Sequence, residues 1–395
     1  MRILFVADGR SPIALNWIDY FIQQGDEVHL ASTYQCKPEL DLASLHILPT
    51  AFSRIGGTSS IGRHGKRGSL IKRFLSTGAR TKIRQRVIPL TLPRAAKALR
   101  RIFEDIQPDL LHALRIPYEG MLAALADPHV PMIISVWGND FTLQASATRL
   151  MSDYTRKAVR RTDALMADCE RDIRLAHQWG FPERPIIMLP GGGGVQLDIF
   201  FPPDEPVSAP VVVNPRGLRA YIRNDTFFQA IPHVLDEHPE ARFLCAAMHG
   251  ESQAERWVAD LEIGYAVTLL PRLDRQEIAD LFRQGAVVVS PSEHDGTPNS
   301  LIEAMACGCF PVAGNIESVR EWIRPGENGL LVDPTDPPAL AKAILTALED
   351  DVLRAAARAH NLQMVATRAE YGAVMKRAEV FYQRVVESVK SRKGR

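Results

Sequence analysis

Ser290 to Val312, SPSEHDGTPNSLIEAMACGCFPV, is the stretch that decides how this 395-residue chain is read. Just before it, GAVVVS (285–290) is a short apolar run rich in β-branched residues, which predicts a buried strand. HDGTPNS follows, a cluster of Asp, Gly, Pro and Asn that predicts a turn. NSLIEAMACG then predicts a short helix, with Thr297 suited to cap it, Pro298 to its first position and Gly308 to its end. Because Pro298 lacks an N–H, the donors expected at the helix start are those of Asn299, Ser300 and Leu301. With Gly296 and Thr297 in the approaching loop, they form a seat for a phosphate group at the positive end of the helix dipole.

Glu303 lies four residues after Asn299 and three after Ser300, one turn down the same face. Its neighbours Leu301, Ile302, Ala304, Met305 and Ala306 predict an apolar setting, in which a carboxylate needs a hydrogen-bonding partner. A ribose diol beside a bound diphosphate would supply one. A neighbouring base, or the helix dipole alone, would also account for it.

Working outward, the length allows two ordinary domains, and 46% hydrophobic content supports a core in each. A net charge of +1 excludes bulk attraction to nucleic acid or membrane, so any such effect must be local. Five scattered cysteines (Cys36, Cys169, Cys245, Cys307, Cys309) point to a reducing compartment. Cys307-x-Cys309 is too tight and isolated for a zinc site, and no metal is expected. No apolar run reaches the length of a membrane span. MRILFVA at the start reads as a strand rather than a signal peptide, so a cytoplasmic protein is expected.

The chain opens with a strand over Arg2–Ala7, a loop at Asp8–Pro12, a helix over Ile13–Gln24 and a strand over Glu27–Ala31. That rhythm predicts a doubly wound parallel sheet whose ligands bind at the carboxyl ends of strands, which places Gly9 and Ser11 at a cleft. No G-x-G-x-x-G occurs there, so no dinucleotide site is read. Between Ala51 and Arg101 stand fourteen Lys/Arg and no acid, interleaved with Leu70, Ile71, Phe74, Leu75, Val87, Ile88, Leu90 and Leu92. A basic segment with an apolar face suits an anionic bilayer, and a solvated helix pair is the plainer alternative. Few aromatics are interleaved to stack bases, and no nucleic-acid partner is expected.

The spacing Asp295-x7-Glu303, followed by Ala304-Met305-Ala306-Cys307-Gly308 and Pro311-Val312, resembles the acidic pair of retaining GT-B glycosyltransferases, family 4 in particular. There the first acid contacts the donor sugar and the second the nucleotide ribose. This sequence has Asp295 where Glu is usual. The resemblance implies an α/β GT-B fold, two Rossmann-like doubly wound domains facing a central cleft. It also implies an enzyme moving a sugar from a nucleotide-sugar donor, UDP-linked, to a glycan or lipid-linked acceptor in cell-envelope or polysaccharide biosynthesis. Asp295 and Glu303 are then the candidate catalytic residues, with no nucleophile assigned, and no cofactor is needed beyond the nucleotide-sugar substrate. Arg216 and Arg223 stand near the family's diphosphate-binding Arg and Lys, with Arg219 able to replace either; Arg suits that role through bidentate hydrogen bonding.

In the first half the resemblance places His112, Trp137 and Asp140, beside Gly9 and Ser11, on the acceptor side. Trp137 stands where the family often has His, so that His role is not carried over. His112 on its own reads equally as a packed histidine. The implied division is an acceptor domain over 1–195, a linker over 196–207 with Pro190–Val195 as a hinge, a nucleotide-sugar domain over 208–365, and a terminal helix over 366–395 crossing back. Combined with the basic stretch, a peripheral site on the inner face of the membrane is expected. An epimerase or phosphorylase on the same architecture, or a non-catalytic nucleotide-sugar-binding protein, remain as alternatives.

Overall fold

The computed structural model describes residues 1–51, 53, 77–219 and 221–393, and divides them into two compact units. The first holds Met1–Gly193 together with Ala373–Arg395, and the second holds Gly194–Gly372. Among the described residues no helix is long and apolar enough to cross a membrane.

The first unit is built on β1 (Arg2–Ala7), β2 (Glu27–Ser32), β3 (Ser44–Ile47), β4 (Leu110–Ala113), β5 (Met132–Val136), β6 (Ala164–Ala167) and β7 (Ile186–Met188). They form one sheet in the order β3-β2-β1-β4-β5-β6-β7, every pairing parallel. The central strands are buried along nearly their whole length, as expected of a parallel sheet covered on both faces. The covering helices are α1 (Pro12–Gln23), α2 (Thr77–Ile106), α3 (Met121–Ala126), α4 (Arg149–Arg161) and α5 (Glu170–Gln178). Of the basic stretch, residues 54–76, including Leu70, Ile71, Phe74 and Leu75, lie outside the described residues. From Thr77 onward the stretch lies in the long helix α2. Ile88, Leu92, Leu99 and Phe103 of α2 sink into the core, whereas Ile83, Val87 and Leu90 stay exposed at 42%, 36% and 70%. Pro89 and Pro93 sit inside the helix.

In the second unit β8 (Val211–Asn214), β9 (Arg242–Cys245), β10 (Val267–Leu269), β11 (Val287–Ser290), β12 (Phe310–Gly314) and β13 (Leu330–Val332) form a parallel sheet ordered β10-β9-β8-β11-β12-β13. Around it stand α6 (Asn224–Glu237), α7 (Ser252–Asp260), α8 (Arg275–Gln284), α9 (Asn299–Ala306), α10 (Pro337–Glu349) and α11 (Asp351–Arg368). The strand runs VVVN and VVVS are the β-branched segments that fill its centre.

Both sheets reverse their winding between a first strand and its fourth-strand neighbour: β1 beside β4, and β8 beside β11. Such switch points open a crevice at the carboxyl ends of the strands, where doubly wound folds bind ligands.

The last helix, α12 (Tyr371–Lys393), belongs to the first unit from Ala373 onward. Tyr382 is fully buried there, stacked on Phe21 with ring centroids 4.6 Å apart, and its hydroxyl accepts from Trp17 Nε1 at 2.9 Å.

Candidate functional site

At the switch point of the second unit, β8 delivers Arg216 and β11 delivers Asp295, and the two are ion-paired. Both side chains are largely buried, 13% and 11% exposed, so the pair sits in a setting that strengthens the charge interaction. Burial disfavours the Arg216 cation, but Asp295 more than offsets this and raises its pKa. The Asp295 backbone is itself held, its carbonyl accepting from Ser318 Oγ at 2.7 Å.

The other sequence candidates are placed less uniformly. Arg223 is bound by acids, with Nη2 2.7 Å from Asp225 and Nη1 3.2 Å from Glu293. An anion arriving there competes with two carboxylates. Arg219 is exposed, its Nη1 3.5 Å from the Tyr221 hydroxyl. The start of α9 also departs from expectation. Pro298, not Thr297, occupies the capping position, and no side chain caps the helix. The Asn299 N–H bonds to the Thr297 carbonyl at 2.9 Å and the Leu301 N–H to that of Pro298 at 2.8 Å. Of the three donors expected at a phosphate seat, Ser300 is the one with no main-chain acceptor among the described residues. Gly296 and Thr297 are buried in the loop, and Leu301 belongs to the core. The tight local turn explains this: a proline with φ near −81° and ψ near 76° leaves the helix entering on a short-range bond.

Glu303 lies on α9 with 21% of its side chain exposed, and Arg275 of α8 stands 3.8 Å away. The sequence offered a ribose or a neighbouring base as its partner; a base is present, at loose distance. Arg275 was not legible, because nothing local ties residue 275 to residue 303. Burial pushes the Glu303 carboxyl up to about 7, with Arg275 pulling the other way. If its carboxylate receives a ribose diol, only the ionised form accepts both hydroxyls. UDP-sugar affinity is then expected to fall by up to about tenfold per pH unit below 7, and Glu303→Gln should flatten that profile in calorimetry between pH 5.5 and 8. An unchanged profile in the variant removes Glu303 from the ribose.

In the first unit His112 is a core residue. It is fully buried, with Nδ1 on the Tyr382 hydroxyl and Nε2 2.8 Å from Ser135 Oγ, and both ring nitrogens are thereby engaged. Burial lowers its pKa to about 3, so it is neutral, and it presents no free nitrogen to an acceptor. Asp140 is likewise buried. Its carboxylate is paired with Arg115 and accepts from the N–H groups of Ile116 at 3.3 Å and Trp137 at 3.1 Å. Trp137 is half-buried at the end of β5. Ser11 caps α1, accepting from the Ala14 N–H, and the Gly9 N–H donates to Ser32 Oγ at 3.1 Å.

Behind the Trp137–Asp140 loop lies a buried group that the sequence reading did not single out: Asp168, Cys169 and Asp172, whose ligand-type atoms fall within 4.8 Å of one another. Arg171 is drawn into it, bonded to Asp172 at 2.8 Å and to the Gly138 carbonyl at 2.6 Å, while Asp168 accepts from the Gly138 N–H at 3.0 Å. Burial and the charge of Asp172 push the Asp168 carboxyl well up. With the Arg171 guanidinium already among the acids and the Gly138 backbone bonded to both Asp168 and Arg171, the cluster suits holding the loop.

Residues 210–350 match the model of the glycosyl transferases group 1 family, and residues 72–192 match that of the glycosyl transferase 4-like domain. D-inositol 3-phosphate glycosyltransferase from Streptomyces scabiei is 26% identical over 257 residues, 60% of this chain and 54% of that protein. The protein of the same description from Thermobispora bispora is 30% identical over 227 residues, 53% and 52% of the two chains. The chain thus spans about half the length of these curated relatives. Among solved structures, sucrose-phosphate synthase from Thermosynechococcus elongatus superposes with a TM-score of 0.75 at 16% identity, over 98% of this chain and 100% of that one. HepE from Anabaena in complex with UDP and glucose does so with a TM-score of 0.69 at 15% identity, over 97% and 100%. With both family models matched on two doubly wound sheets, the chain belongs to the group 1, family 4-like glycosyltransferases of GT-B fold.

Proposed function

We propose that this chain transfers a sugar, with retention, from a UDP-linked donor held by the second unit to a hydroxyl of an acceptor held by the first. The observation that carries the donor half is the buried Arg216–Asp295 pair at the β8/β11 switch point, just ahead of the start of α9. A leaving diphosphate gains negative charge as the glycosidic bond breaks, and a fixed guanidinium with a helix dipole stabilises that charge where it develops. Arg216 carries the positive charge, Ser300 the main-chain donor, Glu303 the ribose contact, and Asp295 both orients Arg216 and faces the sugar. The UDP and UDP-sugar complexes of similar folds support the choice of nucleotide.

A mass-spectrometric screen of UDP-, GDP- and ADP-sugars against candidate acceptors tests the reading, with the product's anomeric configuration read by NMR. Release of UDP with an α-linked product from an α-linked donor is expected. Binding of no nucleotide sugar overturns the enzyme reading, and an inverted product overturns retention.

A second observation favours an acceptor at a membrane. Ile83, Val87 and Leu90 lie four and three residues apart on one exposed face of α2, among exposed Lys82, Arg86 and Arg94. An apolar stripe rimmed by cations fits the headgroup region of an anionic bilayer, so the acceptor is proposed to be lipid-linked.

A further inference from the structure

The second unit carries a charged groove of about 370 Å³ that shares no lining residue with the donor site. One wall is a face of α11 on which Gln363, Thr367 and Arg368 stand at helical spacing. The opposite wall, the 3₁₀ turn Val319–Glu321 and the loop after it, presents Arg320, Glu321 and Arg324. Buried amides fix the two walls to each other. Asn328, 1% exposed, donates from Nδ2 to Asn361 Oδ1 at 2.8 Å, and Asn361 Nδ2 returns a bond to the Asn328 carbonyl at 2.9 Å. The same Asn328 side chain ties its own loop, accepting from the Arg324 N–H at 2.7 Å and donating to the Trp322 carbonyl at 2.9 Å. A fully bonded amide pair of this kind sets the width of the groove in advance, so a ligand has little ordering to supply.

The charges along the walls are unevenly matched. Arg320 is exposed and donates from Nε to Asn315 Oδ1 at 2.7 Å. Arg368 donates from Nη1 to the Glu321 carbonyl at 2.8 Å, and its guanidinium lies 4.3 Å over the Trp322 ring. Both spend these bonds on neutral acceptors, and among the described residues no carboxylate pairs with either. Arg324 is shared with Glu327 at 3.6 Å, in an exposed pair that holds it loosely. Arg368 stands in the last turn of α11 and also meets the negative end of that helix, so the larger share of any ligand charge falls to Arg320. Cations lining one concavity add their fields there, which single surface cations do not.

We propose that this groove binds a small phosphomonoester with a hydroxylated body, at a site separate from that of the donor. The phosphoryl group falls to Arg320 and Arg368, whose forked donors suit its oxygens. Glu321 decides the body. A carboxylate on the wall repels a bare dianion, but it accepts from hydroxyls, as the Gln363 and Thr367 oxygens do. Trp322 decides against a stacked base or sugar ring, since it is 5% exposed and its face is already covered by Arg368. Every residue of the groove belongs to the second unit, and the assignment stands whether or not the chain transfers a sugar.

Sorbitol 6-phosphate, titrated calorimetrically into the whole chain with UDP at saturation, is the probe, with inorganic phosphate and sulfate as bare oxyanions. UDP keeps all three out of the donor site. Wild type is expected to bind sorbitol 6-phosphate about tenfold more tightly than either oxyanion, and Arg320→Gln to weaken that binding about tenfold. Arg368→Gln should weaken it less. Glu321→Gln should tighten inorganic phosphate and narrow its gap to the ester. Arg320 and Arg324 are exposed, so their double Gln variant should keep the wild-type midpoint in urea. Arg216→Ala should keep the probe. No binding by wild type, binding that UDP displaces, or binding unchanged in the double variant overturns the groove site and leaves sugar transfer standing. Sulfate bound as tightly as the ester overturns the phosphomonoester assignment. Conversely, a failed donor screen alongside ester binding lost with Arg320 and kept by Arg216→Ala upholds the groove and refutes the transferase reading.

Discussion

Arg216→Ala is expected to lower turnover of the UDP-sugar by about a hundredfold to a thousandfold, the effect of removing one preorganised charge-stabilising donor. The same change should lower the stability of the second unit, because it removes one side of a largely buried ion pair. Breaking one side of such a pair costs about 3–5 kcal/mol. The two losses separate in a double variant. Arg216→Ala with Asp295→Ala removes both sides of the pair and should restore most of the midpoint in urea, while turnover stays low. Wild-type kinetics in the single variant at donor concentrations below KM would show that Arg216 does not touch the diphosphate. Recovery of turnover together with stability would show that its role is structural.

The second large effect concerns His112 and acid. Its folded pKa of about 3 lies below the ordinary imidazole value of 6.5, so the unfolded chain takes up a proton that the folded chain refuses. The stabilisation is fully present above pH 6.5. It is lost as pH falls from 6.5 towards 3, at about 1.4 kcal/mol per pH unit from this group. Urea unfolding followed from pH 7.5 to 4.5 should show the slope, and His112→Asn, which can still bond to Tyr382 and Ser135, should flatten it. A variant as acid-sensitive as wild type would assign the slope to other groups, such as carboxylates paired in the native state. The donor profile near pH 7 should be unaffected, since Glu303 sits in the other unit.

What the sequence disclosed follows from the range over which its signals act. Strand runs such as VVVN and VVVS are local, and the switch-point order of both sheets follows from winding rules once the strands are found. The placement of Asp295 and Glu303 was legible because nine residues of one strand-loop-helix unit hold both. The partners of those residues were not. Arg275 meets Glu303, Glu293 meets Arg223 and Arg84 meets Tyr34 across 28, 70 and 50 positions, where no periodicity connects them. The burial of His112 and Asp140 was not legible for a related reason: burial is a property of the packed sheet, and a strand end looks the same in sequence whether it faces solvent or a tyrosine from residue 382. The positive φ of Tyr118 has no compositional signature, because the position is not a glycine.

Residues 373–395 complete the first unit only after all of 194–372 has been made. On the ribosome, then, the nascent first unit waits, with the ring nitrogens of His112 and Trp17 deprived of the tyrosine hydroxyl they share 270 and 365 positions downstream. The second unit is one continuous segment and has no such delay, closing on itself where Val195 bonds to Ala369 at 2.6 Å and Tyr371 to Val195 at 2.9 Å. The order of synthesis and the order of folding are therefore opposed: the half translated first is the half finished last. During that interval its uncovered apolar face is the natural client surface for a chaperone.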